Sequence, residues 1–378
     1  MSALKDIKFQ WLFAGDEIFP ALIDAINAAQ KSVRLEIYTY APDAIGERFR
    51  AALIAARERG AQVRALVDSM GSVLLPASFL EPVKAAGGDV RYFNPITLRR
   101  FAIRNHRKLL VCDDQVAFVG GFNIAAEYDG DGVTRGWCDI GMKIEGGLIA
   151  QLAETFDEMF ALAEFRHKRF MRFRKFIAKK ILGSPQARLL LSGPGRGTSP
   201  IKRSLKKDLT HARSVRIIVA YFLPSWRLRR ALTQVARRGG RVQLILPGKS
   251  DVLVSQLAGQ SLYRRLLRAG IEIYEYQPQI LHAKLIVIDD AVYVGSANMD
   301  VRSLRINYEL MLRLHDTKLV AEANEIFERN LKQSKRIEPA AWRKARSVWR
   351  RIKHRWAYFL LARIDPYVTL RQLKTLRD

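Results

Sequence analysis

One small set of reactive residue types stands twice in this chain in the same order. The first copy is His106, Lys108, Asp113, Gly120, Gly121 and Asn123. The second is His282, Lys284, Asp289, Gly295, Ser296 and Asn298. Five fixed positions at about 5% usage each match by chance about once in three million starts, so two copies carry a strong signal. On a β-strand, residues two apart face the same way. Each His therefore projects with its Lys, and two copies in one cleft supply two imidazoles, two ammonium groups and two carboxamides. That set suits a phosphodiester. Lys108, Lys284, Asn123 and Asn298 can hold and neutralise its anionic oxygens. One imidazole can attack phosphorus to form a covalent phosphohistidine. The other can protonate the departing alkoxide. No carboxylates cluster at two-metal spacing, so the reading calls for no metal and no cofactor. Asp113 and Asp289 fall where hairpins turn, and Asp favours turns. With Gly120 and Gly295 they read as structural members of the motif.

The surrounding elements repeat as well. Ser32–Tyr38 is echoed by Ser214–Tyr221, Arg59–Val67 by Arg238–Leu246, and His106–Val111 by His282–Val287, at offsets of 182, 179 and 176 residues. Each half reads as an amphipathic helix (Phe19–Gln30; Ile201–Ala212), an apolar strand, a second helix (Gly46–Arg59; Arg227–Arg238) and a strand (Val63–Asp68; Val242–Pro247). A further helix and strand follow (Val90–Phe93; Ile271–Glu275). Alternating helix and strand periods predict an α/β fold of two similar halves, each a mixed, mostly parallel sheet covered by helices. Leu109–Cys112 and Val116–Val119 flank a hairpin turn. The Gly- and Pro-rich stretch at 192–200 looks like a linker, and the boundary between halves is expected near 183–190. The expected division is 1–185, 186–332 and a C-terminal segment 333–378. Tyr38 and Tyr221 close equivalent strands, where α/β folds place ligand residues, although core packing suits them equally.

The 378 residues carry a formal charge of +27, which implies an anionic partner, nucleic acid or acidic lipid. A hydrophobic share of 49% excludes disorder as the main state. Two cysteines, Cys112 and Cys138, make no disulfide framework. No run approaches a membrane span, and Met1–Gln10 does not read as a signal peptide. Two segments concentrate the bases. Residues 164–182 hold eight Lys/Arg against one acid, and residues 331–378 hold fourteen against three. Phe165, Phe170, Phe173 and Phe176 interleave the first; Trp342, Trp349 and Trp356 recur every seven residues in the second. Such basic amphipathic segments suit an anionic membrane surface, or the aromatic face packs on the protein body. His167, His211, His315 and His354 lie outside the motifs with no second ligand at metal spacing.

The doubled motif resembles the phospholipase D superfamily, and within it the bacterial cardiolipin synthases without N-terminal membrane spans. The carrying residues are Asn105–Lys108, Gly120–Ile124, Trp137–Asp139, Ala220–Pro224, Leu281–Lys284, Gly295–Ser303 and Ile306–Leu310. The resemblance implies two halves that share one active site at their interface, and transphosphatidylation: one phosphatidylglycerol gives its phosphatidyl group to a histidine and releases glycerol, and a second accepts it. By the same analogy His106 is the nucleophile and His282 the acid, then the base. The matching carboxylates that would set each imidazole's tautomer are Asp139 and Glu309. Gly121 stands where relatives often have Ser, as at Ser296, so the first half lacks what would be a phosphate-side hydroxyl. Cys138 replaces a residue often basic in relatives. Arg302 and Asn307 fall near the second site, to touch the phosphate or brace Glu309. The expected setting is peripheral, on the cytoplasmic face of the bacterial inner membrane, with an anionic phospholipid surface as partner and no obligate protein partner. Three other functions compete: a hydrolase releasing phosphatidic acid, a nuclease of the same chemistry, and a non-catalytic basic scaffold. The aromatic-rich basic segments favour lipid over nucleic acid.

Overall fold

The computed structural model describes residues 7–94, 103–164, 179–195, 197–344 and 348–364. The expected basic aromatic segment 164–182 lies largely outside the described residues, as do His167 and residues 365–378. The first half contains β1 (Ile7–Phe13), α1 (Ala14–Ala28), β2 (Ser32–Ile37), α2 (Ala44–Glu58), β3 (Gln62–Asp68), α3 (Glu81–Ala85) and β4 (Asp89–Phe93). It continues with β5 (Leu109–Cys112), β6 (Val116–Gly120), β7 (Ile140–Gly146) and α4 (Ile149–Glu164). The second half opens with β8 (Lys180–Gly183), β9 (Ala187–Ser192), α5 (Pro200–Leu209), β10 (Ser214–Val219), α6 (Trp226–Arg237) and β11 (Arg241–Pro247). Then come α7 (Leu253–Gln260), α8 (Tyr263–Arg268), β12 (Glu272–Tyr276), β13 (Lys284–Ile288), β14 (Ala291–Gly295), β15 (Glu309–Leu314) and α9 (Thr317–Lys332). The chain closes with β16 (Ser334–Arg336), α10 (Pro339–Lys344), α11 (Val348–Phe359) and a last turn, Leu360–Ile364.

The first sheet runs β1-β7-β6-β5-β2-β3-β4, the second β16-β12-β11-β10-β13-β14-β15-β9-β8. Both are mixed, but the expectation of mostly parallel pairing fails. Among the described strands, only β2-β3-β4 and β10-β11-β12 pair in parallel; the other neighbours are antiparallel. The reason lies in the connections. Parallel neighbours need a crossover helix, which α2 and α3 supply, whereas β5-β6 and β13-β14 are joined by tight turns that only antiparallel strands can use. Residues 180–183 and 334–336 both pair into the second sheet.

The central strands are buried on both faces, which is why β5 and β14 read as unbroken apolar runs and β13 is apolar after Lys284. Each half has its own core on the outer face of its sheet. A third core joins the halves: Val111, Val119 and Met142 pack in one cluster with Leu285, Val294 and Leu312, flanked by Phe156 of α4 and Phe327 of α9. The two sheets are thus welded face to face. Asp113 and Asp289, both at positive φ, bind the loop that precedes β2 or β10 in their own half. Asp113 accepts from the backbone N–H groups of Gln30, Lys31 and Ser32 at 2.7–2.8 Å. Asp289 accepts from Arg213 and Ser214 at 3.0 and 2.8 Å. Both lie at the far end of their strand from the lysine. A side chain at Gly120 would press on Ile140 O at 2.7 Å, and Gly295 adopts φ 151°, so both glycines let their strand meet its neighbour.

Candidate active site

Two short backbone bridges cross between the halves and build the site. Asn105 pairs with Tyr308, and Cys138 with Leu281. The His106 N–H donates to Tyr308 O at 3.0 Å, and the Tyr308 N–H donates to Arg104 O at 3.0 Å. In the other direction, the His282 N–H donates to Cys138 O at 2.8 Å and the Cys138 N–H to Ile280 O at 2.9 Å. Each histidine is therefore stitched to the residue just before the other half's carboxylate, Glu309 or Asp139.

The side chains follow. His106 Nδ1 lies 3.1 Å from Glu309 Oε2, and His282 Nδ1 lies 2.7 Å from Asp139 Oδ2. These partners stand 203 and 143 residues apart in sequence. A carboxylate on Nδ1 fixes the tautomer and leaves Nε2 for chemistry, the logic of catalytic triads generally. Both imidazoles line one cleft of about 430 Å³.

Behind each imidazole stands its lysine, fully buried. Lys108 Nζ donates to His106 O at 2.9 Å. Lys284 Nζ donates to His282 O at 2.5 Å and lies 2.8 and 3.0 Å from the two ring nitrogens. Burial and the neighbouring ammonium push Lys108 down to about 7; burial brings Lys284 down to about 8 against the pull of Asp139 and Glu309. Burial and Lys284 push His282 down to about 4, and burial with Lys108 and Lys284 holds His106 well below its usual range. Both imidazoles are thus neutral at neutral pH, the state a nucleophile needs. The two carboxyls differ. Burial drives Glu309 up to about 8 despite Lys108. Burial would also raise Asp139, but Lys284, His282 and the Ile140 N–H outweigh it and hold Asp139 below the usual range.

Asn123 and Asn298 both line the cleft. Asn123 accepts from the Thr39 N–H at 3.2 Å and donates to Tyr128 OH at 2.7 Å. Asn298 Oδ1 accepts from the Tyr221 N–H at 3.3 Å. Ser296 stands behind the cleft, beside Glu309. It is wholly buried, and its hydroxyl donates to Glu309 Oε2 at 2.5 Å while accepting from the Leu310 N–H at 3.0 Å. In this structure the hydroxyl braces a carboxyl group, a contact that Gly121 has no side chain to make in the first half. The glycine has its own cause: a Cβ at Gly121 would overlap Asp139 Oδ1 and lie 3.0 Å from Lys284 Cδ. The longer Glu309 reaches its histidine past a serine; the shorter Asp139 reaches from closer to the chain and needs the space.

Arg302 and Asn307 line the cleft, with Asn307 Nδ2 3.5 Å from Glu309 Oε1. Tyr38 meets His106 edge-on at 4.8 Å, and Tyr221 donates to Asp251 Oδ2 at 2.6 Å, so both strand-end tyrosines face the cleft. Sequence reasoning missed Tyr128 and gave Trp137, a residue of the carrying motif, no role at the site; their rings lie 5.2 and 5.6 Å from the His282 ring. Trp137 stands two residues before Asp139, and that adjacency was the available signal; Tyr128 offered none. It also missed a buried brace beneath His106. Glu36 pairs with Arg107 at 3.0 Å and accepts from Asn105 Nδ2 at 2.7 Å, and the Asn105 N–H donates to Asp68. At the equivalent places the second half has Ile218, Ala283 and Leu281, all apolar.

Residues 22–160 and 205–331 match the family described as "Cardiolipin synthase, PLD-like domain". The chain belongs to that family. "Cardiolipin synthase 1" of Bacillus cereus is 35% identical over 351 residues, covering 89% of this chain and 69% of that one. "Cardiolipin synthase B" of Salmonella typhi is 34% identical over 316 residues, covering 82% and 76%. Among solved structures, phosphatidylserine synthase of Haemophilus influenzae superposes with a TM-score of 0.75 at 15% identity, covering 96% of this chain and 94% of that one. Polyphosphate kinase of Porphyromonas gingivalis gives 0.57 at 16% identity, covering 88% and 49%. These two establish the shared fold.

Proposed function

We propose that the protein is a cardiolipin synthase that converts two phosphatidylglycerols into cardiolipin and glycerol. The observation that carries the reading is the crossed pair of imidazole–carboxylate contacts in a single cleft, which together with the named relatives points to phosphatidyl transfer. His106 Nε2 attacks the phosphorus of the first lipid. The lipid phosphate entering the cleft offsets the lysines, so His282 takes up a proton from solvent; the bond from phosphorus to the glycerol headgroup then breaks, and the departing oxygen takes that proton from the His282 imidazolium. The hydroxyl of a second phosphatidylglycerol then gives its proton to His282 and attacks phosphorus. The bond to His106 breaks, which restores both histidines. Lys108, Lys284, Asn123 and Asn298 neutralise and orient the phosphoryl oxygens.

The cleft lining argues against a nuclease. Asp251, Asp300 and Glu127 line it beside Leu223, Val252 and Val301. Carboxylates repel a polyanion but accept hydrogen bonds from headgroup hydroxyls, and the apolar residues suit lipid. The protein works at an anionic membrane surface, on the cytoplasmic face in this reading. No helix of the described residues is long and apolar enough to cross a membrane. A covalent intermediate makes the reaction ping-pong. Labelled glycerol should therefore exchange into phosphatidylglycerol with wild-type enzyme and not with His106→Ala. Cardiolipin formation without any glycerol exchange would refute the covalent step.

A further inference from the structure

The seven-residue spacing of the C-terminal tryptophans does not place them on one face. Trp342 belongs to α10 and is 7% exposed, stacked near Tyr263 and His354. Trp349 and Trp356 belong to α11 and are 74% and 66% exposed. Ile352 and Phe359 are exposed beside them. The residues α11 turns inward are the smaller or more polar ones, His354, Ala357 and Tyr358. An aromatic stripe facing out at i, i+3, i+7 and i+10 is the reverse of an ordinary surface helix. Large contiguous apolar patches on soluble proteins mark interaction sites.

The stripe does not stand alone. α11 packs along α7, and the chain entering α7 exposes Val252, Leu253 and Val254 in turn, with Leu253 62% exposed. Three consecutive exposed aliphatics have no role in the second domain's core. Both elements reach the cleft: Val252 from one and Leu361, at the end of the other, line it together with His106 and His282. Exposed cations flank the aromatic stripe, among them Arg343, Lys344, Lys353 and Arg355. Apolar side chains among cations match the acyl boundary and phosphate layer of an anionic bilayer.

We infer that the Val252–Val254 segment and the outer face of α11 form one membrane-inserted lip at the mouth of the cleft. The occupant is an anionic phospholipid bilayer. With the lip seated, the cleft opens at headgroup depth, and a lipid can present its phosphate to the histidines while its acyl chains stay in the membrane. The inference deepens the proposed function, yet its test reads binding separately from product.

The experiment uses the full chain with phosphatidylglycerol vesicles and with phosphatidylcholine vesicles, in a sedimentation assay. Leu253→Glu and Trp356→Glu line the lip but not the cleft. Each should weaken partitioning onto phosphatidylglycerol vesicles by roughly tenfold. Turnover of a short-chain phosphatidylglycerol below its micelle threshold should stay near wild type. Binding to phosphatidylcholine should be weaker throughout, since the cations lose their partner. Unchanged partitioning of both variants would overturn the lip. So would a self-associating wild type that Trp356→Glu makes monomeric with vesicle binding intact, because the stripe would then cover a second copy. Lip-dependent binding without any cardiolipin would leave the lip standing and remove the proposed activity instead.

Discussion

At the residue scale, the two half-sites are alike in plan and unlike in electrostatics. Asp139 is held ionised while burial favours a neutral Glu309, and His282 is driven down to about 4 mainly by burial and Lys284. An anion in the cleft offsets the lysines and favours the imidazolium. Nitrogen-15 NMR of the free protein should show His282 titrating well below 6, and a bound phosphate analogue should move it upward. In the proposed reaction that shift lets an imidazole that rests neutral act as the acid. Gly121→Ser gives a second test. Its side chain must displace Asp139, so kcat should fall by about 10- to 100-fold with the fold intact; far-UV circular dichroism and turnover separate the two. The histidines and lysines were legible because the same motif stands twice in the chain, just before or at the start of β5 and β13. Their carboxyl partners, Asp139 and Glu309, were reached only through family likeness, because a contact across 203 or 143 residues leaves no local pattern. The bond from Ser296 to Glu309 was not legible for a related reason: a hydroxyl beside a phosphate motif can serve a carboxyl group, and only geometry shows that contact.

At the scale of elements, the halves support their histidines differently. β2 carries Glu36 beneath His106, paired with the buried Arg107, where β10 carries Ile218. Removing one member of a buried pair strands the other at a cost of about 3–5 kcal/mol, whereas replacing the group with apolar side chains is often neutral. Glu36→Ile alone should lower the urea midpoint markedly. The triple variant Glu36→Ile, Asn105→Leu, Arg107→Ala copies the second half and should recover most of the loss. A triple variant no more stable than the single one would show that the brace does more than satisfy itself. The alternation of helix and strand was plain in the sequence, and so was the β5–β6 hairpin. Parallel pairing was overread, because counting helices between strands gives the right direction for β2-β3-β4 and says nothing of strands added by hairpins. The tryptophan period misled similarly, since α10 and α11 are separate helices.

At the scale of the molecule, one chain holds both half-sites. Each histidine takes its carboxylate from the opposite half, and a common core joins the sheets. Duplication thus yields one catalytic centre rather than two, and neither half is complete alone. Mixing purified His106→Ala with His282→Ala should therefore restore no activity, as measured by cardiolipin formation. Recovery toward half the wild-type rate would mean that the centre forms between chains. The repeat offsets made the two-half plan readable at once. The face-to-face packing that turns two halves into one centre was readable only through family likeness, because apolar strands do not name their partners.

The measurement that bears most directly on the account is the product balance from phosphatidylglycerol vesicles, for wild type and for His106→Ala. The account predicts one glycerol released per cardiolipin formed, and neither product from the variant. Phosphatidic acid as the sole product, or cardiolipin still formed by His106→Ala, would contradict it.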